Sequence, residues 1–255
     1  MKLIKLIRIF FCLVIYILLA LGINIFVRDR DHRLRALSFL NHDLAVTIKR
    51  ILNIEIELEP KTSLLKNKGD FIISNHLSYV DGIVLGSIFK VIYVSKLQVK
   101  SWPFFGVVAN LGGTVFIDRE KKLSLEYITR IKELLDAGVN ILLFPEGTST
   151  AGSEVLPFQP LFFSSPIQAQ ADILPLGIAY THINGREIKG LDKDKVHWYG
   201  QVPFFYHLWN LLAIKSLRAK VTIHSKIKTS GYKNNALSRH RLADIAHHII
   251  TGARI

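Results

Sequence analysis

Cysteine is almost absent from this chain of 255 residues: there is one, Cys12, and it lies in an apolar segment. A single cysteine excludes an intrachain disulfide framework and a metal site built from several thiolates. A nucleophilic role is not expected either, because apolar surroundings disfavour the reactive thiolate. We therefore interpret Cys12 as a small hydrophobic residue of a membrane helix.

Acidic residues are also scarce. The chain has 20 Asp and Glu against 33 Lys and Arg, so its formal net charge is +13 and an acidic partner is expected, either nucleic acid or an anionic lipid surface. Signatures of nucleic-acid binding are missing: there is no helix-turn-helix or zinc-finger spacing and no aromatic pattern of RNA binding. Since 49% of the residues are hydrophobic, the sequence favours a membrane with anionic lipids and no nucleic acid.

Metal-ligand spacing is lacking as well. The histidines at His182, His197, His207 and His224 stand far apart, and we interpret them as packed or solvated side chains. We expect no metal site and no bound cofactor. The sequence also contains no internal repeat and no low-complexity run that would divide it.

One long apolar run is present near the N-terminus. Residues 9–27 (IFFCLVIYILLALGINIFV) carry no charge and are about as long as a helix that crosses a ~30 Å hydrocarbon core. Basic residues flank the run on both sides, so the orientation rule is indecisive. A cleaved signal peptide is the competing interpretation, but the run continues past the weak cleavage site at Ala20-Leu-Gly22. We expect an uncleaved, membrane-embedded helix.

A second helix is predicted over residues 31–52. Its apolar residues recur at steps of three and four, and they are Leu34, Leu37, Leu40, Leu44, Ile48 and Ile51. Such a basic amphipathic helix can lie on an anionic bilayer, or its apolar face can pack on the rest of the protein. Both alternatives stay open from the sequence. We assign residues 1–53 to an N-terminal anchor with this helix.

From residue 54 onward short apolar runs alternate with longer periodic segments, which is typical of an α/β fold. Strands are predicted at 54–58, 71–74, 91–95, 114–117, 139–144, 173–180 and 220–223. Helices are predicted from about Tyr79, at 122–137 and at 235–251. We therefore expect residues 54–255 to form a single domain with a central mixed sheet flanked by helices.

The first run that carries chemistry is Asn75-His-Leu-Ser-Tyr-Val-Asp81, between a predicted strand and a predicted helix. Ligands of open α/β sheets usually lie where strands end. Across such a turn Asp81 can fold back and bond one ring nitrogen of His76, which fixes the tautomer and leaves the other nitrogen as a base. His76 is thus a candidate general base for a substrate hydroxyl. Alone, a His-x4-Asp pair is a weak signal.

Two further runs close predicted strands. Arg119 follows the strand at 114–117, and its guanidinium matches phosphate oxygens, although a surface salt bridge with Asp118 is the alternative. In Phe144-Pro-Glu-Gly-Thr-Ser-Thr150, Gly147 permits close backbone approach, and the following hydroxyl and N–H groups can hold an anion or a polar headgroup. An ordinary turn is the alternative there. Pro175, inside another predicted strand, indicates an edge position or a bulge.

Together these runs resemble the glycerolipid acyltransferase superfamily, which includes the 1-acylglycerol-3-phosphate acyltransferases. The family pattern is Asn-His-x4-Asp, then Gly-x-x-Phe-Ile-Asp-Arg, then Phe-Pro-Glu-Gly-Thr, then an apolar run with Pro. It is matched here at 75–81, 113–119, 144–148 and 173–175. The resemblance covers roughly residues 60–180, and four motifs in order make coincidence improbable.

The resemblance implies transfer of an acyl group from a thioester, acyl-CoA or acyl carrier protein, to the hydroxyl of a lysolipid. His76 would be the general base and Asp81 its holder, with no covalent acyl-enzyme, and the sequence offers no nucleophile elbow. Arg119 would bind an anionic group of the acceptor. The substrate-binding residues that the resemblance implies are Asn75, Lys96, Arg119, Glu146, Gly147, Thr148 and Ser149.

One position departs from the family pattern. Many members carry Arg where this chain has Ser149, so one cation for a phosphate is lost and 1-acylglycerol-3-phosphate is a less secure acceptor. The variant resembles members that act on other lysolipids, including lyso-ornithine lipid. Two other classes remain: an esterase or thioesterase that uses the same pair to activate water, and a non-catalytic lipid-binding protein. Because thioester donors are made in the cytosol, we expect an inner or cell membrane protein with its site on the cytoplasmic face.

Overall fold

The computed structural model of the protein describes residues 1–60, 69–102, 104–118 and 125–252. The helices are α1 (Lys2–Phe26), α2 (Arg30–Leu52), α3 (Val80–Gly86), α4 (Phe105–Leu111), α5 (Leu125–Asp136), α6 (Ser164–Ala169), α7 (Phe204–Leu211) and α8 (Ala236–Gly252). The strands are β1 (Ile54–Glu59), β2 (Phe71–Ser74), β3 (Val91–Lys96), β4 (Val115–Ile117), β5 (Asn140–Leu143), β6 (Ile173–Ile183), β7 (Arg186–Glu187) and β8 (Leu217–Ile223). Short 3-10 segments lie at Leu97–Ser101, Pro160–Phe163 and Gly190–Lys195.

The strands form one mixed sheet in the order β1-β8-β6-β2-β5-β3-β4, with β7 paired to β6. Strands β6, β2, β5, β3 and β4 are parallel to one another. Strand β8 runs antiparallel to β6, and β1 is parallel to β8. The predicted mixed sheet with flanking helices is therefore confirmed. Because the parallel strands end at one edge, the loops after β2, β3 and β5 meet there.

The sheet is buried on both faces, since successive side chains of a strand point to opposite sides. In β2, Phe71 and Ile73 belong to a core shared with α1, α2, α5 and α8. Ile72 belongs to a second core, shared with α3 and α7. The continuously apolar β2 and β5 have the composition that a two-faced burial requires.

Helix α2 packs on the body of the protein, which resolves the alternative left open by its sequence. Leu34 and Leu37 are buried in the core that contains the sheet. The helix begins after Asp29, whose side chain accepts the N–H of His32 at 2.8 Å, and it ends at Asn53 in the left-handed conformation. Its polar face, not its apolar stripe, is left to solvent or headgroups.

Helix α1 is, among the described residues, the helix that is long and apolar enough to cross a membrane. One side of it packs on the protein: Tyr16 and Ala20 lie in the main core. The Lys5 ammonium is buried and donates to the carbonyl of Ile214 at 2.6 Å. Most of its other large apolar side chains are exposed, so α1 stays a candidate membrane segment that is docked along one face.

The edge position expected for Pro175 was wrong, whereas the pairing beside it is irregular. Pro175 lies in β6, an internal strand, opposite Ile73 of β2. Its carbonyl accepts the N–H of His224 on the β8 side, while the β8 ladder begins one residue later, at Leu176. No ladder bond therefore needs the missing N–H of the proline. One register shift flanks Pro175, because Ile173 pairs with Ile227 whereas Leu176 pairs with Ile223, and a second lies between Tyr180 and His182.

Candidate active site

The turn between β2 and α3 brings His76 and Asp81 together. Nδ1 of His76 lies 2.8 Å from Oδ2 of Asp81. The carboxylate is fully buried, whereas the imidazole is partly exposed. Because an ionised carboxylate only accepts, Nδ1 carries the proton and donates it, which leaves Nε2 as the nitrogen that can take up a proton.

Asp81 is held from four directions. Besides His76, its Oδ2 accepts the backbone N–H groups of Leu77 at 2.6 Å and Ser78 at 2.9 Å. Its Oδ1 accepts the hydroxyl of Tyr180 at 2.7 Å. Burial and, next, the charge of Asp81 raise the pKa of Tyr180 well above its usual value, so the phenol stays a donor. The four bonds fix the carboxylate as an acceptor for the imidazole.

Glu146 holds the backbone on the other side of the histidine. Its Oε1 accepts the N–H of His76 at 2.7 Å and its Oε2 accepts the N–H of Leu156 at 2.8 Å. The carbonyl of His76 in turn accepts the N–H of Thr150 at 3.0 Å. These bonds join the loop after β5 to the loop after β2. Each carboxylate oxygen of Glu146 accepts a backbone N–H.

Two other residues position the imidazole. The ring of Phe144 stacks against that of His76, with centroids 4.1 Å apart and an interplanar angle of 13°. The buried Asn75 side chain donates to the carbonyl of Ile178 at 3.0 Å and accepts its N–H at 2.8 Å. Asn75 therefore extends the pairing of β2 with β6 past the end of β2. Its described bonds are to backbone, and it does not line the cavity described next.

A cavity of about 450 Å³ opens beside His76. Gly147, Thr148 and Ser149 line it next to the histidine, and Gly147 has the positive φ of 81° that favours glycine. The Ser149 hydroxyl donates to the carbonyl of Trp198 at 2.5 Å. The predicted loop therefore contacts the cavity, with the Ser149 side chain turned onto the segment that carries Trp198.

Apolar side chains of α1, α2, α3 and α4 form most of the cavity wall away from His76. Asn41 lines the far part, where its Nδ2 donates to the carbonyl of Val91, at the start of β3, at 3.1 Å. Lys96, at the end of β3, lies at the sheet edge that bears His76. Val91 and Lys96 are the two ends of β3. With a rise of ~3.3 Å per residue along the strand, they lie roughly 16 Å apart.

Aromatic rings surround the mouth of the cavity. Trp198 contacts Tyr79, Trp102 and Phe204 at centroid distances of 5.7, 5.7 and 6.0 Å. The backbone N–H of Trp198 donates to the carbonyl of Leu77 at 2.9 Å, in the turn that carries His76.

The structure thus brings together His76, Asp81, Glu146, the loop 147–149 and Lys96. Arg119 lies outside the described residues. Sequence reasoning missed Tyr180 and gave no role to Phe144. Tyr180 stood within a predicted strand that ends at the correct edge, but nothing in the sequence pairs it with Asp81, which is 99 residues away.

Comparison with known proteins gives a family match and full-length structural similarity. Residues 55–179 match the family model described as Acyltransferase. The lyso-ornithine lipid O-acyltransferase of Brucella abortus (strain 2308) is 33% identical over 149 residues, which is 55% of this chain and 56% of that protein. The 1-acyl-sn-glycerol-3-phosphate acyltransferase of Neisseria gonorrhoeae is 30% identical over 154 residues, 60% of this chain and 58% of that protein. The chain therefore matches somewhat more than half the length of these curated relatives.

Among solved structures, the crystal structure of the 1-acyl-sn-glycerophosphate acyltransferase PlsC from Thermotoga maritima superposes with a TM-score of 0.66. The match covers 99% of this chain and 96% of that chain, at 16% sequence identity. At that identity the similarity establishes the fold and leaves the substrate open. The shared fold includes the N-terminal helices as well as the sheet.

Proposed function

Residues 55–179 match the family model described as Acyltransferase, and from this match we propose that the chain is a lysolipid O-acyltransferase. It moves a fatty acyl group from a thioester, acyl-CoA or acyl carrier protein, to the hydroxyl of a lysolipid. The observation that carries the proposal is the His76–Asp81 pair, bonded at 2.8 Å beside a largely apolar cavity of about 450 Å³. A base and a chain-sized apolar cavity are the two parts that acyl transfer to a lipid hydroxyl requires.

The proposed reaction is a direct transfer. Nε2 of His76 takes the proton of the lysolipid hydroxyl while the hydroxyl oxygen attacks the thioester carbonyl. The new ester bond forms and the C–S bond breaks, and the thiolate leaves with the proton returned by the imidazolium. Asp81 keeps the ring oriented and stabilises its positive charge during the transfer.

Glu146 and Phe144 act in this proposal as positioning residues. Glu146 holds the backbone N–H of His76, and Phe144 packs flat against the ring. A general base must stay within hydrogen-bond distance of the proton that it removes. Locking both the backbone and the plane of the histidine reduces the motion that would take Nε2 out of reach.

The cavity is the proposed site of an acyl chain. Its roughly 16 Å extent along β3, from Lys96 to the level of Asn41, is similar to one leaflet of a ~30 Å hydrocarbon core, which is the length of a lipid acyl chain in a bilayer. Burial of the chain supplies non-specific affinity in proportion to its apolar surface. The carbonyl end then lies at the sheet edge, near His76.

The acceptor headgroup is proposed to bind at the loop 147–149, with Lys96 and Arg119 as candidate cations. The Ser149 side chain adds no charge there, and its hydroxyl donates a hydrogen bond to the carbonyl of Trp198. A 1-acylglycerol-3-phosphate or a lyso-ornithine lipid would both present a hydroxyl to His76. The relatives quoted above carry each of these names, and this chain matches only part of their length.

We also propose that residues 1–53 attach the protein to a membrane and that residues 54–255 carry the transferase domain. The exposed apolar side of α1 would lie in the bilayer. The net charge of +13 suits anionic lipids. Thioester donors made in the cytosol make the cytoplasmic face of an inner or cell membrane the proposed location.

The test uses the purified full-length protein with isotope-labelled acyl-CoA or acyl carrier protein and a panel of lysolipids, with products resolved by mass. We expect labelled diacyl product from at least one lysolipid and a loss of at least about 100-fold in turnover for His76→Ala. The exposed His240→Ala serves as the matched control, with full activity expected. Thiol release at full rate without an acceptor would instead support a thioesterase, and wild-type turnover by His76→Ala would refute the mechanism.

A further inference from the structure

Helix α7 has an aromatic face that is largely exposed in the described part of the chain. His207 and Leu211 are buried, and Phe204 packs against the aromatic side chains that surround the cavity mouth. Three other side chains point outward on one side of the helix, because the third is three and four residues beyond the other two. They are Phe205, Tyr206 and Trp209, exposed by 68%, 67% and 47%.

This face borders α1. Nζ of Lys2 lies 5.0 Å from the centroid of the Trp209 ring, near the C-terminal end of α7. At the other end Phe204 packs on Phe105 at 5.0 Å, and the preceding residue, Phe104, packs on Phe10 of α1 at 6.3 Å.

The C-terminal half of α7 therefore lies against the first turn of α1, while its N-terminal end reaches α1 only through the residues at the start of α4. Its C-terminal side is also tied to α1 through the bond from Lys5 to Ile214.

The neighbouring side of α1 is apolar and exposed as well. Its outward residues in the N-terminal part of the helix are Leu3, Ile4, Ile7, Phe10 and Phe11. Phe104 and Val107, also exposed, extend the same surface on the side of α4. The outward face of α7 is therefore the aromatic margin of a continuous apolar surface whose centre is α1, a size and composition that soluble monomers rarely expose.

We propose that α7 is a second membrane-contacting element, which lies in the interface of the bilayer with Phe205, Tyr206 and Trp209 at the boundary of headgroups and acyl chains. The inference rests on the proposed membrane attachment of α1 and not on the proposed reaction. Tyr and Trp are the side chains that favour this boundary, because each joins an apolar ring to a polar group. Lys2, beside Trp209, adds a cation at the level of the phosphates.

The position of α7 links membrane contact to the site. Phe204 lines the cavity mouth, and the next residue, Phe205, is in the outward face. A bilayer seated on α1 and α7 therefore reaches the rim formed by Phe204, Trp102 and Trp198. In this arrangement a lysolipid passes from its leaflet to His76 along the aromatic rim without crossing water.

The depth of α7 is measured with a probe on a single cysteine. In a Cys12→Ala background, Tyr206→Cys is labelled with an environment-sensitive fluorophore and mixed with phosphatidylcholine–phosphatidylglycerol vesicles, with or without brominated acyl chains. Leu3→Cys on α1 is the positive control. Leu237→Cys is the matched negative control, because Leu237 is 78% exposed but lies on α8.

We expect a blue shift and bromine quenching for the probes at 206 and 3, and neither effect at 237. A probe at 206 that stays in water while the probe at 3 inserts would overturn the inference and leave the proposed function intact. Insertion at 206 in a protein that transfers no acyl group would uphold the inference and refute the reaction. If neither probe inserts, both the role of α7 and the membrane attachment of α1 fail.

A second measurement does not need the label. Phe205→Ser combined with Tyr206→Ser should lower vesicle partitioning by about a hundredfold or more, since each ring that is buried contributes more than a factor of ten. Turnover on micelle-dispersed lysolipid should stay unchanged, because neither side chain lines the cavity. Leu237→Ser is the matched control, and equal partitioning of the double variant and this control would contradict the inference.

Discussion

Tyr180 donates a hydrogen bond of 2.7 Å to Oδ1 of Asp81, the carboxylate oxygen that His76 does not use. Both residues are buried. The phenol satisfies the second oxygen and prevents the carboxylate from rotating away from the imidazole. Tyr180 is thus a positioning residue for the proposed base, although it does not itself line the cavity.

Tyr180→Phe should lower kcat by about tenfold, since a hydrogen bond to a charged group contributes roughly 1.5–3 kcal/mol. The KM for the acyl donor should stay near its wild-type value. A carboxylate that has lost this donor attracts the imidazolium proton more strongly, so the acidic limb of the pH–rate profile should move to higher pH.

The matched control is Tyr199→Phe, because Tyr199 also donates to a carboxylate, Asp194, at 2.8 Å but on the exposed surface. That variant should keep both the rate and the pH profile of the wild type. An unshifted pH profile in Tyr180→Phe, even with a lower rate, would leave Tyr180 with a purely structural role.

Ala45→Phe should shorten the preferred acyl chain. Ala45 lines the deep part of the cavity, one helical turn from Asn41 on α2. A phenyl group projected there would occupy space proposed for the end of the chain. The measurement is competition among acyl-thioesters of graded length, and a stability assay guards against overpacking.

Val46→Phe, the next residue on α2 and absent from the cavity wall, is the control and should keep the wild-type preference. The same chain-length preference in both variants would place the acyl chain elsewhere.

Lys5→Met should loosen the docking of α1. The buried ammonium donates to the carbonyl of Ile214 at 2.6 Å and to that of Leu52 at 3.5 Å. Methionine fills similar volume without a donor, so the free energy of unfolding should fall by about 1.5–3 kcal/mol. Thermal unfolding in detergent micelles measures this change. Arg8→Met, an exposed position of the same helix, should have little effect, and an equal loss in both variants would deny Lys5 a special role.

Stability should decrease in mild acid because of His207. Burial lowers the pKa of His207 to about 4. In the unfolded chain an imidazole binds its proton near pH 6.5, so between pH 6.5 and 4 the unfolded state binds more protons than the folded state. Stability attributable to this group is therefore complete above pH 6.5 and is lost as the pH falls toward 4, by at most about 3 kcal/mol.

His207→Gln should remove this part of the acid sensitivity, as measured by urea unfolding at pH 7 and pH 5 in detergent. The exposed His240→Gln should retain the full sensitivity of the wild type. Equal pH dependence in the two variants would show that other groups are responsible.

Several features followed from the sequence because they are local. The alternation of short apolar runs with periodic segments predicted the mixed α/β sheet, and β2 and β5 were predicted to within a residue or two. The His76–Asp81 bond needed only a strand, a turn and five residues of separation. The apolar run at 9–27 and the helix that follows it were equally plain, since hydropathy and helical periodicity are properties of contiguous residues.

Short helices escaped prediction. Helices α4, α6 and α7 have six to eight residues each, too few for a periodic pattern to stand out, and tertiary packing rather than propensity keeps them helical. The strand that contains Pro175 was wrongly predicted to lie at an edge of the sheet for a related reason. Whether a strand lies at an edge depends on which other strands pair with it, and the residues of the strand itself do not indicate this.

The sequence by itself determined the fold class, the family motifs and the identity of the candidate base. Only the tertiary structure decided that Tyr180 holds Asp81 from across the sheet, that α2 packs its apolar stripe inward, and that α7 turns three aromatic side chains outward beside α1. Each of these contacts joins residues far apart in the chain. Their proximity is set by strand order and by which surfaces the folded domain can bury, and no local pattern encodes either one.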